Sequence, residues 1–557
     1  MKGLTRPQWF LLLLFVGVMF VIGIRALNES DIFYHVKAGE VIWQTKSIPT
    51  TDIFSSSAAG ARWVTHEWLP ELIFFGVYSL AGFWGLIALV GLCVAVISYL
   101  LVLIALKRGA NLSVAVIITF VCTLFSLPYW KARPQIFGYL AFVVLVALLE
   151  HYRKHNNVRT LWLACGVMVL WANFSASFLL GAVVFLYYGI SVWIQSYFTR
   201  ALTTERHAAQ RMLVASIIGT GLGLFNPNTY ALFTYPLVIA PAVAVFNILE
   251  WRSILSFLSF LETRLQLAML ALSDVFLAWW FVVRAKSRDV IIFGLVAGIS
   301  ILPFISSRHI IFWFLLASIL LPAALSEVLK EKLAHIHTKL TWLLIVLFAG
   351  IGMVRLISLP ARYYDPFLVP VRAADFIQEQ QIRGPIFNLY NEGGYLMFRF
   401  WPQERVFIDG RSEVFLGKPI EEYLSIIGAT GEWRKLIDDT YKVQYMVLPY
   451  WPSELAHTIA PLTNELLADK EWSLVYWDDA TTIYVRDSTA NGPLVSRYGA
   501  HIITPFKNPK DIKGADVKAA RDEIMAFAKR TPDSAFIAQY AREFFISHAE
   551  TLKKLNK

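Results

Sequence analysis

Only three cysteines occur in 557 residues, and each of them (Cys93, Cys122, Cys165) lies inside an apolar run. That placement excludes a disulfide framework and a cysteine zinc site, and leaves the three as small hydrophobes. Charge is scarce as well. Asp, Glu, Lys and Arg make up 16% of the chain, against 57% hydrophobic residues and a mean hydropathy of +0.54. So little charge excludes an ordinary soluble globular protein. The formal net charge of +10 carries no nucleic-acid signal, because Lys and Arg sit mostly in short segments between apolar runs. No P-loop, Rossmann fingerprint, HExxH or Ser-His-Asp order is found. The stretch FNLYNEGGY has a Gly pair but no phosphate-loop spacing. A cleavable signal peptide is not expected either: the first apolar run, from about Trp9 to Leu27, is too long and has no small-residue cleavage site.

Long apolar runs and aromatics are abundant, with 40 Phe and 19 Trp. Runs of membrane-spanning length predict about eleven helices, at 8–27, 82–106, 112–130, 136–152, 160–175, 177–197, 211–225, 266–284, 289–305, 309–326 and 340–358. The stretch 228–263 is apolar but broken by Pro236, Pro241, Glu250 and Arg252, and is expected to be re-entrant or interfacial. One alternating set of connecting segments, holding Lys2, Lys107, Arg153, Arg200, Arg284, Lys286, Arg288 and Lys330 among others, has more Lys and Arg than the other set. The positive-inside rule puts that set in the cytoplasm. The N-terminus is then inside, and an odd helix count puts both the first loop and everything after the last helix outside.

That first loop, residues 28–70, is dense in polar and aromatic side chains: Glu29, Asp31, His35, Asp52, His66 and Glu67 among Phe33, Tyr34, Trp43, Trp63 and Trp68. Long ordered loops tend to carry function. Glu29 and Asp31 stand just past the outer end of the first helix. A carboxylate there acts as a general base, or helps hold a metal on a phosphate-bearing substrate, or merely caps a helix beginning near Ile32. His35 follows Asp31 by four residues and shares its face if IFYHVKAGEVIW is helical, with Phe33, Val36, Val41 and Trp43 suited to a membrane interface. A structural histidine is the plainer alternative.

Other polar groups fall at the outer ends of the predicted helices: Arg133 in KARPQ, Asn173 in WANFSAS, Asn226 in LFNPN, Glu250 and Arg252 in LEWRS, and Arg308 and His309 in SSRHI. Ionisable groups at membrane depth are costly and suggest a site, although each alone reads equally as a snorkelling interfacial side chain. From about 360 the chain changes character. PIFNLY, RVFIDGR, QYMVLPY, WSLVYW and TTIYVRD read as strands between helical stretches, and two amphipathic helices follow the polar linker 507–514 as a possible hairpin. The domains expected are a membrane part, 1–358; an α/β part, 359–506; and a helical extension, 507–557. Asp409 and Arg411 of FIDGR follow a strand, as ligand-contacting residues often do, or form a turn with its own salt bridge.

The polytopic layout with a long first outer loop and a trailing domain resembles the GT-C superfamily of membrane glycosyltransferases. More narrowly, DIFYHVKAGE, PTTDIFS and HEWL, followed by RPQIF, NPNTY, GGYL and FIDGR, resemble a widespread group of bacterial polytopic membrane proteins over about residues 28–485. Phe33-Tyr34 departs from the Trp-Trp common there. The resemblance implies a polytopic α-helical membrane protein with a C-terminal α/β domain. It also implies an inverting transfer of a sugar from a polyprenyl-phosphate carrier to a glycan, lipid or protein acceptor, at the outer face of the bacterial inner membrane. Asp31 maps onto the acidic loop position of the base, with Glu29 and His35 behind it. Topology and charge nominate Arg133, Arg252 and Arg308 for the lipid phosphate, with His66 and Glu67 nearby. No cofactor is implied beyond, at most, a divalent cation, and no nucleic acid. A transporter would place its polar groups at the midplane of repeated halves, and a non-catalytic scaffold would leave the acidic loop without a task.

Overall fold

The computed structural model describes residues 4–198, 203–246, 248–283, 289–449, 454–479, 481–488, 491–500, 502–505, 507–514 and 516–555. Lys2, Arg200, Arg284, Lys286, Arg288 and the domain boundary at 506 lie outside them. The chain forms two compact units. The first comprises Met1–Leu27, Ala38–Ile48 and Val64–Tyr363; the second comprises Asn28–Lys37, Pro49–Trp63 and Tyr364–Lys557.

The first unit is helical because its runs are apolar and in lipid every backbone N–H and C=O must be satisfied within the segment. Each of the eleven expected runs lies on a helix. Among the described residues eight helices are long and apolar enough to cross a membrane, and Leu112–Phe125, Val158–Phe174, Ala231–Val245 and Val290–Ile305 are shorter apolar helices. The molecule is a multi-pass membrane protein. The helix Ile310–Val328 is buried on nearly every side. Leu261–Val283 and Lys330–Ile357 instead turn most of their apolar side chains outward, as contact with lipid requires. The long helix Trp68–Lys107 breaks at Gly82, whose φ of 61° a side chain would resist. The stretch expected to be re-entrant holds Ala231–Val245, with both of its prolines inside the helix, and then two short 3-10 turns that carry Glu250 and Ile254.

The second unit is built on a four-stranded sheet: β1 (Ile386–Asn388), β2 (Tyr445–Pro449), β3 (Trp472–Trp477) and β4 (Thr481–Arg486), in spatial order β1-β2-β4-β3. β1 and β2 are parallel, and the other two pairings are antiparallel. All four strands are buried almost throughout, so they read as continuous apolar runs rather than alternating ones. The helices Asp516–Arg530 and Ala535–Ser547 follow and pack on each other, the second capped by the Ser534 side chain.

RVFIDGR does not become a strand of this sheet. Only Val406 makes a bridge, and its partner is Ser55 of the first loop. The Asn388 side chain accepts from the Phe407 N–H and donates to the Ile408 carbonyl, both at 2.8 Å. A side-chain amide thus occupies the positions that a neighbouring strand would pair.

Candidate functional site

Asp31 opens the helix Asp31–Thr45, so the helical reading of IFYHVKAGEVIW holds. An acid in the first turn suits the positive end of the helix dipole. Phe33 is not interfacial: it is buried, with its ring 4.7 Å from that of Tyr395. The Ser30 hydroxyl just before the helix accepts the Tyr395 N–H at 2.8 Å. His35 is buried with its ring 4.1 Å from Tyr34, whereas Asp31 and Glu29 are half-buried.

Two distant motifs of the second unit meet beside Asp31. In the PTTDIFS stretch, Asp52 accepts from the N–H groups of Phe54 and Ser55, each at 3.1 Å, and from the Ser55 hydroxyl at 2.5 Å. In FIDGR, Arg411 donates through Nη2 to Asp52 at 2.7 Å and to Asp409 at 2.6 Å, and through Nε to Asp409 at 2.8 Å. Its guanidinium lies over the rings of Phe54 and Trp63, at 5.0 and 4.6 Å. All three charged residues are essentially closed to solvent. Burial opposes the Arg411 charge, but Asp409 and Asp52 outweigh it and hold the guanidinium protonated beyond its ordinary range. Between them stands Gly410. Its carbonyl accepts the Tyr390 hydroxyl at 2.8 Å, and a methyl group on its Cα would stand 2.4 Å from Asp31 Oδ1. The FIDGR turn therefore rests directly on the Asp31 carboxylate. Asp52 and Asp409 are neutralised by a buried partner, and Asp31 is the more exposed acid of the three.

In the first unit a cationic cluster forms around Glu250. Arg133 donates to Glu250 Oε1 at 3.0 Å, and Arg308 approaches the same oxygen at 3.5 Å while lying over the Trp251 ring at 4.7 Å. Burial raises the Glu250 pKa, but Arg133, Arg308 and Lys131 outweigh it and pull it down to about 2. Two arginines thus converge on one carboxylate oxygen, and arginine is a side chain suited to phosphate. The Ser306 and Ser307 hydroxyls donate to the Glu250 carbonyl at 3.1 and 3.0 Å. Arg252 is exposed and is held by its backbone carbonyl, which accepts the Ser307 N–H at 2.8 Å. His66 is buried against the Tyr235 ring at 4.1 Å, and Glu67 lies 3.6 Å from His66 and accepts from Gln135 at 3.4 Å.

The sequence places Glu250 among the outer-end polar groups but names no partner for it, and it does not pair Asp52 with Arg411. The partners lie 117 and 359 residues away, and no local pattern signals either pairing. Glu250→Gln is expected to remove the anionic oxygen that Arg133 and Arg308 share and to destabilise the protein by about 1–3 kcal/mol, read as a fall in the thermal unfolding temperature in detergent. Among the described residues no three His, Cys, Asp or Glu side chains gather to hold a metal ion. Asp52 and Asp409 already share Arg411, so that pair is not open to a divalent ion.

No protein-family model matches the sequence, and no curated protein does. Solved structures do. The apo oligosaccharyltransferase of Archaeoglobus fulgidus superposes with a TM-score of 0.54 at 10% identity, over 86% of this chain and 75% of that one. AglB from the same organism, in complex with an inhibitory peptide and a dolichol-phosphate, gives 0.53 at 10% identity over 98% and 86%. The A. fulgidus enzyme with Zn and sulfate gives 0.54 at 10% identity over 85% and 73%. What this chain shares with them over most of its length is their fold.

Proposed function

We propose that the protein is a membrane glycosyltransferase that moves a sugar from a polyprenyl-phosphate carrier to an acceptor hydroxyl at the outer face of the bacterial inner membrane. Asp31 takes the proton of the hydroxyl as its oxygen attacks the anomeric carbon. The new C–O bond forms as the bond to the carrier phosphate breaks, and the electron pair leaves on the phosphate. A single displacement of this kind inverts the anomeric centre. Arg133 and Arg308 bind the carrier phosphate and stabilise the charge that develops on it, with Arg252, His66 and Glu67 as further substrate contacts. Glu29 is the nearest substitute for the base, and the buried His35 supports the helix that carries it. The acceptor is a glycan, lipid or protein.

The placement of Asp31 carries this reading: a half-buried carboxylate in the first turn of its helix, set against the Gly410 turn. Asp31→Asn is expected to cut the release of free polyprenyl phosphate from lipid-linked sugars in membranes by about 100-fold or more, the usual contribution of a general base. Co-purified lipid phosphate, measured by mass spectrometry, should stay unchanged. Arg133→Ala with Arg308→Ala should deplete that lipid instead. Full turnover by the Asp31→Asn protein would sink the base assignment and favour a transporter or a scaffold.

A further inference from the structure

We propose that Asp52 and Arg411 are positioning residues for Asp31, so that the C-terminal segment sets the aim of the first-loop acid. The inference rests on Asp31 acting as the base. Residues 50–63 form a small folded lobe: Thr51 bridges Arg62, the Asp52 N–H donates to the Ala61 carbonyl at 2.7 Å, and the Trp63 N–H donates to the Thr50 carbonyl at 2.9 Å. Asp52 is thus tied to its own lobe as well as to Arg411. The turn that carries Gly410 is held from both sides. Upstream, Asp409 accepts the Arg411 N–H at 3.0 Å as well as the guanidinium; at its centre the Gly410 carbonyl is held by Tyr390. Two further hydrogen bonds tie the strand-like approach to the same lobe, from the Ser56 N–H to the Val406 carbonyl at 2.8 Å and from the Ser57 hydroxyl to the Phe407 carbonyl at 2.5 Å.

The consequence is mechanical. The space that a Cβ on Gly410 would fill is taken by Asp31 Oδ1 and the Tyr34 ring, 2.4 and 3.1 Å away. A shift of the turn by a fraction of an ångström changes where the carboxylate points, and small misplacements of a base cost rate steeply. Asp52 and Arg411 touch no reacting atom in this scheme. They act through the turn, which makes the C-terminal segment part of the catalytic centre rather than an appended module.

The test uses the full-length protein with Asp31→Cys, labelled by a membrane-impermeant maleimide; the three native cysteines are buried. Thr463→Cys, at a core position of the same unit that is closed to solvent, reports whether that unit stays folded. Adding Asp52→Asn is expected to speed labelling at 31 about tenfold through local opening while leaving 463 protected. An unchanged rate at 31 would overturn the proposal. So would an equal rise at both positions, unless Arg411→Lys, which keeps the charge between the two acids, exposes 31 alone. In the Asp31 protein, Asp52→Asn should lower kcat and leave KM for the lipid donor unchanged. Labelling needs no substrate. If Asp31→Asn keeps full turnover while labelling behaves as expected, the base assignment fails and the geometry stands.

Discussion

Arg411→Met is expected to destabilise the second unit by about 3–5 kcal/mol, the usual result of removing one partner from a buried ionic group. Methionine keeps much of the length of the side chain and none of its charge. Asp52 and Asp409, 2% and 0% exposed, would then face each other with no cation between them. They would either repel or take up protons at a cost in free energy. Against a typical total stability of about 5–15 kcal/mol, the loss is large enough to populate an unfolded unit at physiological temperature. Denaturant or thermal unfolding of the purified protein measures it. The triple change Asp52→Asn, Asp409→Asn, Arg411→Met is expected to recover much of the loss, because no charge then remains buried. Equal stability of the single variant and the native protein would show that the triad contributes nothing.

The second large effect is a pH dependence. Glu392 stands in the first turn of the helix Tyr390–Phe400, 7% exposed, and its Oε2 has no hydrogen-bond partner. The neighbouring Gly393 packs so closely on the Ile408 carbonyl that a methyl there would stand 1.9 Å from the oxygen. The helix therefore cannot tilt to carry the carboxyl to water. Burial pushes the Glu392 pKa up from 4.5 to about 7. Between those values the folded chain holds a proton that the unfolded chain has released, so stability is greatest below pH 4.5 and falls as pH rises to about 7. A shift of that size corresponds to about 3 kcal/mol across the window. Glu392→Gln is expected to abolish the slope, so that the unfolding temperatures of variant and native protein diverge at pH 8 and converge near pH 4.5. A slope that persists in the variant would assign it to another group.

How much of this was legible in the sequence depends on the distance between partners. The membrane helices were legible because lipid imposes one solution on any long apolar run, and the first-loop helix because Asp31 and His35 are spaced for it. The trailing sheet was legible for the four segments that are buried on both faces. RVFIDGR misled because its alternation suits a strand, whereas its pairing groups are taken by the Asn388 amide and by Ser55. Phe33 misled because an aromatic beside a membrane helix suits an interface as well as a protein core. Of the Arg411 triad, the Asp409–Arg411 salt bridge of the FIDGR turn was legible and the part of Asp52 was not. Asp52 and Arg411 lie 359 residues apart, and no local pattern states which distant carboxylate a guanidinium will choose. The same holds for Glu250, whose neighbours Arg133 and Arg308 come from separate segments.

The second unit takes two of its three pieces from the first sixty-odd residues and the rest from beyond residue 363. During synthesis Asp52 emerges 359 residues before Arg411 does. At about 5–20 residues per second, that is an interval of tens of seconds in which Asp52 has no cation and Phe54 and Trp63 have nothing stacked on them. The early loop must therefore wait, hydrated and open, while the intervening membrane helices insert. A ribosome stalled between residues 363 and 409 would release a chain whose first unit is complete but whose acid has no turn to rest under.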